Sequence, residues 1–441
     1  MATVAEVRLW GTSIGAVSLE EGAQVATFQY DPNFIPSGIQ LSPLVMPLAA
    51  RLYQFPALPP GTFHGLPGLL ADSLPDRFGT TLIDAWLATQ GRRPESFTSI
   101  ERLCYIGTRG MGALEFFPAT GPALRASAKI GLGALVALAS EVLTHRNSLQ
   151  VSFSPRHRHT GLKEILRVGT SAGGARAKAI VAWNPATNQV RSGQVKAPKG
   201  FGYWLLKFDG VRHNKDKELE DPQGFTVIEY AYALMAEAAG ISMSECRLLE
   251  EGGRRHFMTR RFDRQADGSK LHMQSLAALG HFDFNTADAY SYEQAFDVMK
   301  RLGLPMRSIE EQFRRMLFNV VARNQDDHVK NIAFLMDKSG AWTLSPAFDV
   351  TYAYNPHGKW TARHQMTING KAENFRLEDF RACAKVATLK RGRDREILHQ
   401  VVEAVKSWPD FADTTGVPGK QRDPITRSLR LDLGRERRSA R

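Results

Sequence analysis

The stretch that decides the fold is Asn324-Gln325-Asp326-Asp327-His328-Val329-Lys330-Asn331. Asp326 precedes Asn331 by five positions, which is the D-x-x-x-x-N spacing of a phosphoryl-transfer loop. In such a loop the carboxylate meets the attacking hydroxyl group, while the amide oxygen one turn away holds Mg²⁺ against the phosphates. A polar turn before a hairpin would show the same residue types, so the spacing needs support from the flanking sequence.

A hairpin is predicted directly after this loop. The apolar runs 332–336 and 341–344 both fit short strands, and the turn residues Asp337 and Gly340 lie between them. The returning strand leads into Ser345-Pro346-Ala347-Phe348-Asp349, so we expect Asp349 to return to the loop. That placement suits a Mg²⁺ ligand equivalent to the aspartate of a kinase D-F-G segment, although Val350 stands where that segment has glycine.

A glycine-rich segment lies upstream, at Gly169-Thr170-Ser171-Ala172-Gly173-Gly174-Ala175-Arg176-Ala177-Lys178, before the apolar run 179–183. Its small residues would let backbone N–H groups approach phosphate oxygens. It is not a Walker A motif, because Ala175 and Arg176 stand where that motif has lysine and serine or threonine. A plain hairpin turn fits the same residues, so the segment indicates phosphate binding only in combination with the strand and helix downstream of it.

One lysine, Lys207, lies in the strongly apolar run 203–208, where a buried ammonium group would need an anion. Kinases place their phosphate-binding lysine on a strand after the glycine loop. The predicted helix 224–239 carries Glu229, which could pair with Lys207. A lysine that reaches solvent and a solvated glutamate are the alternatives. The order of glycine loop, lysine, glutamate, aspartate, amide and second aspartate nevertheless indicates phosphoryl transfer.

Length and composition limit the class of protein. The chain has 441 residues, of which 43% are hydrophobic and 23% charged, values typical of a globular protein of two or three domains. The net charge of +12 favours acidic partners such as nucleic acid, nucleotide or an acidic protein. The three cysteines form no C-x-x-C pair, and no segment resembles a signal peptide or a membrane span. We therefore expect a soluble cytoplasmic protein without a membrane partner.

Taken together, the motifs resemble those of the HipA family of serine/threonine kinases, the toxins of HipBA-type toxin–antitoxin pairs. The resemblance extends from about residue 7 to about residue 408. The matching segments in chain order are L-P-D within 69–77, I-G-x-x-x-x-G-A at 106–113, the phosphate loop at 171–178, the lysine strand at 204–207, R-F-D-R at 261–264, D-x-H-x-K-N at 326–331 and the x-P-x-Y-D-like segment at 345–349.

The resemblance implies an α+β fold. The expected architecture is a two-lobed protein-kinase-like fold with a β-rich N-lobe, a mainly helical C-lobe and an extra N-terminal α/β subdomain. The corresponding division is an N-terminal subdomain at 1–120, a connector at 121–160, an N-lobe at 161–290, a C-lobe at 291–415 and a basic tail at 416–441. The tail is predicted to be mobile, because it is rich in arginine and has few large apolar residues.

The resemblance also implies ATP and Mg²⁺ as cofactors and assigns the site residues. Asp326 would be the catalytic base with His328 and Lys330 beside the phosphates, and Asn331 and Asp349 would be metal ligands. Nucleotide binding would involve Ser171, Ala172, Gly173, Gly174, Ala175, Arg176, Lys178, Lys207, Glu229, Arg260, Phe262 and His328. Ser171 would also carry an inhibitory autophosphorylation, since negative charge there would repel ATP.

Family membership further implies a HipB-like helix-turn-helix antitoxin, operator DNA bound through that complex, and a protein substrate such as an aminoacyl-tRNA synthetase whose phosphorylation arrests growth. Three positions depart from the family pattern. Gly169 stands where some members have the first serine of an S-x-S loop. Arg260 stands where these toxins commonly have glutamate, and Asp327 stands where glycine is often found, which would add charge beside the metal.

Two other classes of protein remain as alternatives. A small-molecule or lipid kinase could use the same D-x-H-x-x-N loop, and a non-catalytic DNA-associated corepressor would also suit the positive charge. The L-P-D and R-F-D-R segments favour the HipA-like kinase over the first, and the intact set of catalytic residue types argues against the second.

Overall fold

The structure is a computed structural model that describes residues 3–122, 131–145, 176–211, 215–216, 219–220 and 224–434. The predicted phosphate-loop residues Ser171, Ala172, Gly173, Gly174 and Ala175 lie outside these ranges, as does most of the predicted connector.

The β-strands are β1 Thr3–Leu9, β2 Thr12–Leu19, β3 Thr27–Tyr30, β4 Leu52–Tyr53, β5 Leu114–Phe117, β6 Lys178–Asn184, β7 Gln189–Ser192, β8 Gly202–Lys207, β9 Lys215–Asp216, β10 Leu219–Glu220, β11 Cys246–Glu251, β12 Arg254–Arg260, β13 His272–Ser275, β14 Tyr290–Ser291, β15 Ala333–Met336, β16 Trp342–Leu344 and β17 Met366–Thr367.

The α-helices are α1 Pro60–Phe63, α2 Gly68–Ala71, α3 Arg77–Thr89, α4 Ser99–Ile106, α5 Leu132–His145, α6 Phe225–Ala238, α7 Leu276–Gly280, α8 Tyr292–Arg301, α9 Met306–Val321, α10 Leu377–Val386, α11 Arg393–Lys406, α12 Trp408–Thr415 and α13 Gly419–Ser428. Short 3-10 helices occur at Ile35–Ser37, Pro94–Ser96, Val329–Asn331 and Leu431–Gly434. Within the described ranges, no helix combines the length and the apolar composition that crossing a membrane requires.

The N-terminal unit is built on an antiparallel sheet in the order β4-β3-β2-β1-β5. Its strands alternate as a half-buried sheet requires: in β1, Ala5, Val7 and Leu9 are buried, while Glu6 and Arg8 between them point the other way. Helices α2 and α4 cover the buried face and share one hydrophobic core with it.

A second antiparallel sheet, in the order β11-β12-β8-β6-β7, forms the smaller lobe of the remaining chain. Strand β8 lies at its centre and carries Lys207 at its end. Helices α3 and α5 share a core with this sheet, although α3 belongs to the predicted N-terminal subdomain 1–120. The N-terminal unit is therefore joined to the smaller lobe through a common hydrophobic core.

The larger lobe is mainly helical and has its own core. Helix α6 from the smaller lobe packs against α11 and α12, and α9 packs against α11 at the lobe centre. The hairpin β15–β16, predicted from the sequence, is confirmed and pairs with β13. Met336 and Trp342 of this hairpin pack against the core of the N-terminal unit, so the hairpin contacts both the larger lobe and the N-terminal unit.

A buried ion cluster connects the R-F-D-R segment to the N-terminal unit. The Asp263 carboxylate accepts bonds from Arg261 at 2.6 and 2.8 Å, from Arg264 at 2.8 Å, and from the Gly112 backbone N–H at 2.7 Å. Arg264 also donates to the carbonyl oxygens of Gly110, at 2.9 Å, and Gly112, at 3.0 Å. The I-G-x-x-x-x-G-A segment at 106–113 and the R-F-D-R segment at 261–264, which are far apart in the sequence, are therefore in direct contact.

Part of the segment 416–441, which was predicted as a mobile tail, has regular structure and packs against the helical lobe within its described part, residues 416–434. Residues 419–428 form helix α13, whose Ile425 is buried, and the indole N–H of Trp408 donates to the Arg422 carbonyl oxygen at 3.2 Å. The Arg430 backbone N–H donates to the Val321 carbonyl oxygen at 2.9 Å. Val417 and Ile425 are buried in the core of the helical lobe, and three partly buried leucines of the segment, Leu429, Leu431 and Leu433, pack against it.

The Asp263 cluster generates a prediction about stability. Burial would raise the pKa of Asp263, but Arg261 and Arg264 hold it well below its ordinary value. We expect Asp263→Asn to lower the free energy of unfolding by about 3 kcal/mol or more, because it leaves two buried guanidinium groups without their counter-charge. Chemical denaturation measures this. The difference between wild type and variant should be fully present at neutral pH and shrink as the pH falls below about 4, where Asp263 of the unfolded chain begins to be protonated while that of the folded chain stays ionised.

The matched control is Glu6→Gln, which breaks the exposed Glu6–Arg8 pair and should change stability little. Equal effects of the two substitutions would contradict the importance assigned to the buried cluster.

Candidate active site

The centre of the site is an ion cluster around Lys207. Its Nζ atom lies 2.6 Å from Glu229 Oε1 and 2.5 Å from Asp349 Oδ1. Lys207 is on β8, Glu229 on α6 and Asp349 directly after the β15–β16 hairpin, so the cluster joins three separate parts of the chain. The lysine and the glutamate are both buried, while the Asp349 side chain is about one-third exposed. The predicted pairing of Lys207 with Glu229 is therefore present.

The positive charge of Lys207 and the negative charge of Asp349 stabilise each other. Burial acts to lower the pKa of Lys207, but Asp349 and Glu229 together raise it above its ordinary value. Burial acts to raise the pKa of Asp349, yet Lys207, with a smaller contribution from Lys178, lowers it to about 2. Burial raises the pKa of Glu229 despite the attraction of Lys207. Lys207 and Asp349 are therefore both ionised at neutral pH, and each stabilises the charge of the other.

Local sequence explains how these three groups meet. Strand β8 is buried along most of its length, so the lysine at its end enters the interior together with its apolar neighbours. Glu229 lies on the buried face of α6 with Ile228 and Tyr232. Asp349 has a φ of +53°, in the left-handed region that non-glycine residues rarely adopt. Such a conformation is strained, and strain of this kind is often found at functional sites.

The predicted catalytic loop lies beside this cluster. Asp326 is partly exposed, and its Oδ1 atom accepts a hydrogen bond from the indole N–H of Trp360 at 2.9 Å. The Asn331 amide N–H donates to the Asp326 carbonyl oxygen at 2.8 Å, which leaves the Asn331 side-chain oxygen available for another partner. A small cavity of about 30 Å³ is lined by Asn331, His328 and Asp349, which brings the loop and the hairpin aspartate to one place.

Asp327 lines the same cavity as Asn331 and Asp349, so the expectation that it adds charge beside the metal-ligand candidates stays a prediction. Its carboxylate is buried in the helical lobe, where it accepts bonds from the Tyr292 hydroxyl at 2.7 Å and the Gln365 backbone N–H at 2.9 Å. His364 Nδ1 lies 2.8 Å from the same carboxylate. Asp327 thus fixes the loop to α8 and to the segment after the hairpin, while its neighbour Asp326 stays accessible.

His328 and Lys330 flank the catalytic loop on the side of Phe284. The His328 ring lies 5.9 Å from the Phe284 ring, and its buried Nδ1 atom has no hydrogen-bond partner among the described residues. The Lys330 ammonium lies 4.8 Å from the Phe284 ring centre, within the range of a cation–π contact. His328 is close enough to Asp349 to lower the pKa of that carboxyl group. Both predicted residues therefore lie at the edge of the site.

Lys178, at the end of the predicted phosphate loop, pairs with the N-terminal unit. Its Nζ atom lies 3.0 Å from Asp76 Oδ2, and both side chains are almost fully buried. Asp76 is the aspartate of the L-P-D segment, and its other oxygen caps helix α3 by accepting from the Gly79 N–H at 2.8 Å. Burial raises the pKa of Asp76 although Lys178 opposes the rise. A buried ion pair of this kind adds little net stability, because desolvation of the two groups offsets their attraction, but it fixes the position of Lys178.

The remaining predicted nucleotide-binding residues differ in their placement. The Arg176 guanidinium lies over the Phe225 ring at 3.5 Å, at the start of α6. Phe262 lies 5.7 Å from Phe348, the residue before Asp349, and so borders the cluster. Arg260 is exposed and lies 3.4 Å from Glu245. The contacts of Arg260 therefore connect it to β11 and its flank, not to the Lys207 cluster.

Sequence reasoning missed two side chains of this site. Asp76 belongs to the L-P-D segment, but its contact with Lys178 was not expected, because their separation in the chain gives no local signal. Trp360 lies in an irregular segment without periodicity, so nothing in the sequence connects it to Asp326.

Comparison with solved structures identifies the fold. HipA of Shewanella oneidensis MR-1, from a complex of HipA, HipB and operator DNA, aligns with a TM-score of 0.67 and 16% identity, covering 98% of this chain and 96% of that chain. The proinflammatory kinase CtkA of Helicobacter pylori aligns with a TM-score of only 0.38 and 12% identity over 60% of this chain and 91% of its own, too low to carry an argument. The predicted α+β, two-lobed kinase-like fold with an added N-terminal unit is confirmed.

Sequence profiles identify the family. The HipA N-terminal domain matches residues 5–117, and the HipA-like C-terminal domain matches residues 170–408, which is more than half of the chain. No curated protein matches the sequence significantly. The two profiles together include the N-terminal sheet, the Lys207 cluster and the catalytic loop. The chain belongs to the HipA family.

Proposed function

We propose that the protein is a HipA-type serine/threonine kinase that transfers the γ-phosphoryl group of ATP to a protein hydroxyl group. The observation that carries the proposal is the Lys207 ammonium held between Glu229 and Asp349. A buried lysine with two carboxylates at a cleft, beside a D-x-x-x-x-N loop, is the arrangement that a kinase uses to position triphosphate and metal. Family membership supports the kinase class over a corepressor without activity.

The chain's own residues account for the proposed reaction. Lys207 would bind phosphate oxygens, and its contact with Glu229 fixes where its charge lies. Asp326, held by Trp360, would accept the proton of the acceptor hydroxyl as the phosphoryl group moves to that oxygen and ADP leaves. His328 and Lys330 would lie near the transferred group. Most of the catalysis would come from positioning and charge neutralisation.

The residues present fit a magnesium ion. Asn331 has a side-chain oxygen available for a ligand, and Asp349 has a second carboxylate oxygen that no described residue contacts. One carboxylate and one amide are enough, because Mg²⁺ usually completes its shell with waters and substrate phosphates. When bound there, the ion would neutralise part of the phosphate charge. Asn331 and Asp349 are therefore proposed as its protein ligands.

The proposal extends to regulation and partners. Autophosphorylation of Ser171 would place negative charge in the phosphate loop and hinder ATP binding. Because the Shewanella HipA was solved with HipB and operator DNA, a HipB-like antitoxin and operator DNA are proposed as partners here. An aminoacyl-tRNA synthetase is proposed as the protein substrate, with growth arrest as the consequence. Phosphoproteomics after brief induced expression would test the substrate directly.

The first test concerns the base. Incubating the purified protein with Mg·ATP should place phosphate on Ser171, and Asp326→Asn should reduce that product by at least about a hundredfold, because general base catalysis contributes this much. Mass spectrometry of the Ser171 peptide measures it. Trp360→Phe, which removes the indole N–H that donates to Asp326 and keeps an aromatic ring, should give an intermediate loss. Equal phosphorylation of wild type and Asp326→Asn would defeat the kinase assignment.

The second test concerns the metal. Calorimetric titration with a non-hydrolysable ATP analogue should show that Mg²⁺ tightens binding to the wild type but has at least about tenfold less effect on Asp349→Asn, which lacks the anionic ligand. Asp337→Asn is the control, since Asp337 lies at the exposed tip of the same hairpin. An unchanged Mg²⁺ effect in Asp349→Asn would remove Asp349 from the metal site.

A further inference from the structure

A second polar cavity lies in the helical lobe, behind the catalytic loop. It has a volume of about 350 Å³ and lies between the end of helix α9, the segment 354–375 and the C-terminal segment after α13. Among the residues that line it are Arg323, Arg430, Tyr354, Asn374 and Glu373. We call it the arginine cavity after the first two. None of these residues belongs to the site proposed for ATP.

Both guanidinium groups are held in place by hydrogen bonds. Arg323 donates from Nε to the Ser428 carbonyl oxygen at 2.7 Å and from Nη1 to Gln325 Oε1 at 3.0 Å. Arg430 lies with Nη1 2.9 Å from His364 Nε2 and donates from Nη2 to Gln325 Oε1 at 3.3 Å. The two positive groups therefore share one amide oxygen, and neither is a freely moving surface side chain.

Neither arginine forms an ion pair with another of the described residues. Among the described residues, no carboxylate oxygen lies within 4.0 Å of either guanidinium group. Burial and the neighbouring Arg323 lower the pKa of Arg430 to about 10, although Asp327 opposes the effect. Glu373 is the one carboxylate among the residues that line the cavity, and it is exposed. Two positive charges thus face one negative charge at the rim.

The backbone at Arg323 is also unfavourable for an arginine. This residue follows helix α9 with a φ of +59°, a left-handed conformation that glycine adopts at lower cost. Glycine would relieve the strain, but it would remove the side chain that donates to Ser428 and Gln325. The fold therefore accepts a local cost in order to place a second guanidinium beside Arg430.

We propose that the arginine cavity binds a phosphate monoester or a free phosphate ion. Paired guanidinium groups with fixed orientation match the geometry and charge of phosphate oxygens, and charge-assisted bonds of this kind are the strong ones. The cavity is large enough for a phosphate group together with part of the side chain that carries it. The phosphate could be supplied by solution or by a phosphorylated serine or threonine of a protein.

The location gives such binding an effect on the catalytic loop. Gln325, which contacts both arginines, is the residue before Asp326, and its Nε2 atom donates to the Thr361 carbonyl oxygen at 3.1 Å. Trp360, next to Thr361, donates to Asp326. A phosphate that neutralises the two arginines would therefore stabilise both segments that hold the catalytic aspartate.

Titration of the full-length protein with inorganic phosphate at constant ionic strength tests the site, with the affinity measured by calorimetry. Arg430→Gln should weaken binding by about tenfold or more, because it removes one of two charged donors. Glu373→Gln should strengthen binding severalfold, because it removes the opposing charge. This second variant alters an exposed side chain, so it remains informative if Arg430→Gln fails to fold.

Arg363→Gln is the matched control. Arg363 lies on the same segment, is exposed and pairs with Asp288 at 2.6 Å, but it does not line the cavity, so its loss should leave phosphate affinity unchanged. Phosphate that binds in the proposed nucleotide site would contribute equally to the heat measured for all variants. Equal affinities of wild type, Arg430→Gln and Glu373→Gln would overturn the proposal.

A second titration identifies the source of the phosphate. Its probe is O-phosphoserine flanked by two glycines, compared with the same tripeptide without phosphate. Tighter binding of the phosphotripeptide than of inorganic phosphate, lost in Arg430→Gln, would support a phosphorylated protein as the ligand. Tighter binding of inorganic phosphate would support the free ion. Arg430-independent binding of both probes would again overturn the proposal.

Discussion

The buried Lys207 ammonium is the interaction on which the arrangement of the site depends. A lone cation at this depth would be costly, and two carboxylates from distant parts of the chain compensate it. The requirement is mutual, because Glu229 on its helix and Asp349 after its hairpin would be equally unfavourable without the lysine. The Lys207 cluster therefore adds a charged contact that joins the smaller sheet, helix α6 and the end of the β15–β16 hairpin.

Buried ion pairs also join the N-terminal unit to the two kinase-like lobes. Asp263 joins the two parts through buried arginines and the Gly112 N–H, and Asp76 reaches Lys178 at the start of β6. Helix α3 adds apolar contact with the smaller lobe. Because Lys178 in turn influences Asp349, the N-terminal unit contributes to the electrostatics of the site and is more than an attached domain.

The sequence predicted those parts of the site whose signals are local. The D-x-x-x-x-N spacing, the apolar strand with one lysine and the hairpin before Asp349 each lie within a short segment, and the structure brings Lys207, Glu229 and Asp349 together as expected. The contacts of Asp327 with Tyr292 and His364 were not predicted, because these partners lie about 35 residues away on either side. The helix at 419–428 was not predicted, because the few apolar residues that pack against the helical lobe are widely spaced in a mostly polar segment.

The double pairing of Lys207 has a thermodynamic consequence for ligand entry. Asp349 already has a cationic partner, so under the proposed function a divalent ion arriving alone would compete with Lys207 for the carboxylate. A triphosphate arriving alone would likewise compete with Asp349 for the ammonium group. If both arrived together, Lys207 would exchange the carboxylate for phosphate and Asp349 would exchange the ammonium for metal. Such an exchange would make nucleotide and metal bind cooperatively, and it would disfavour the binding of a cation alone.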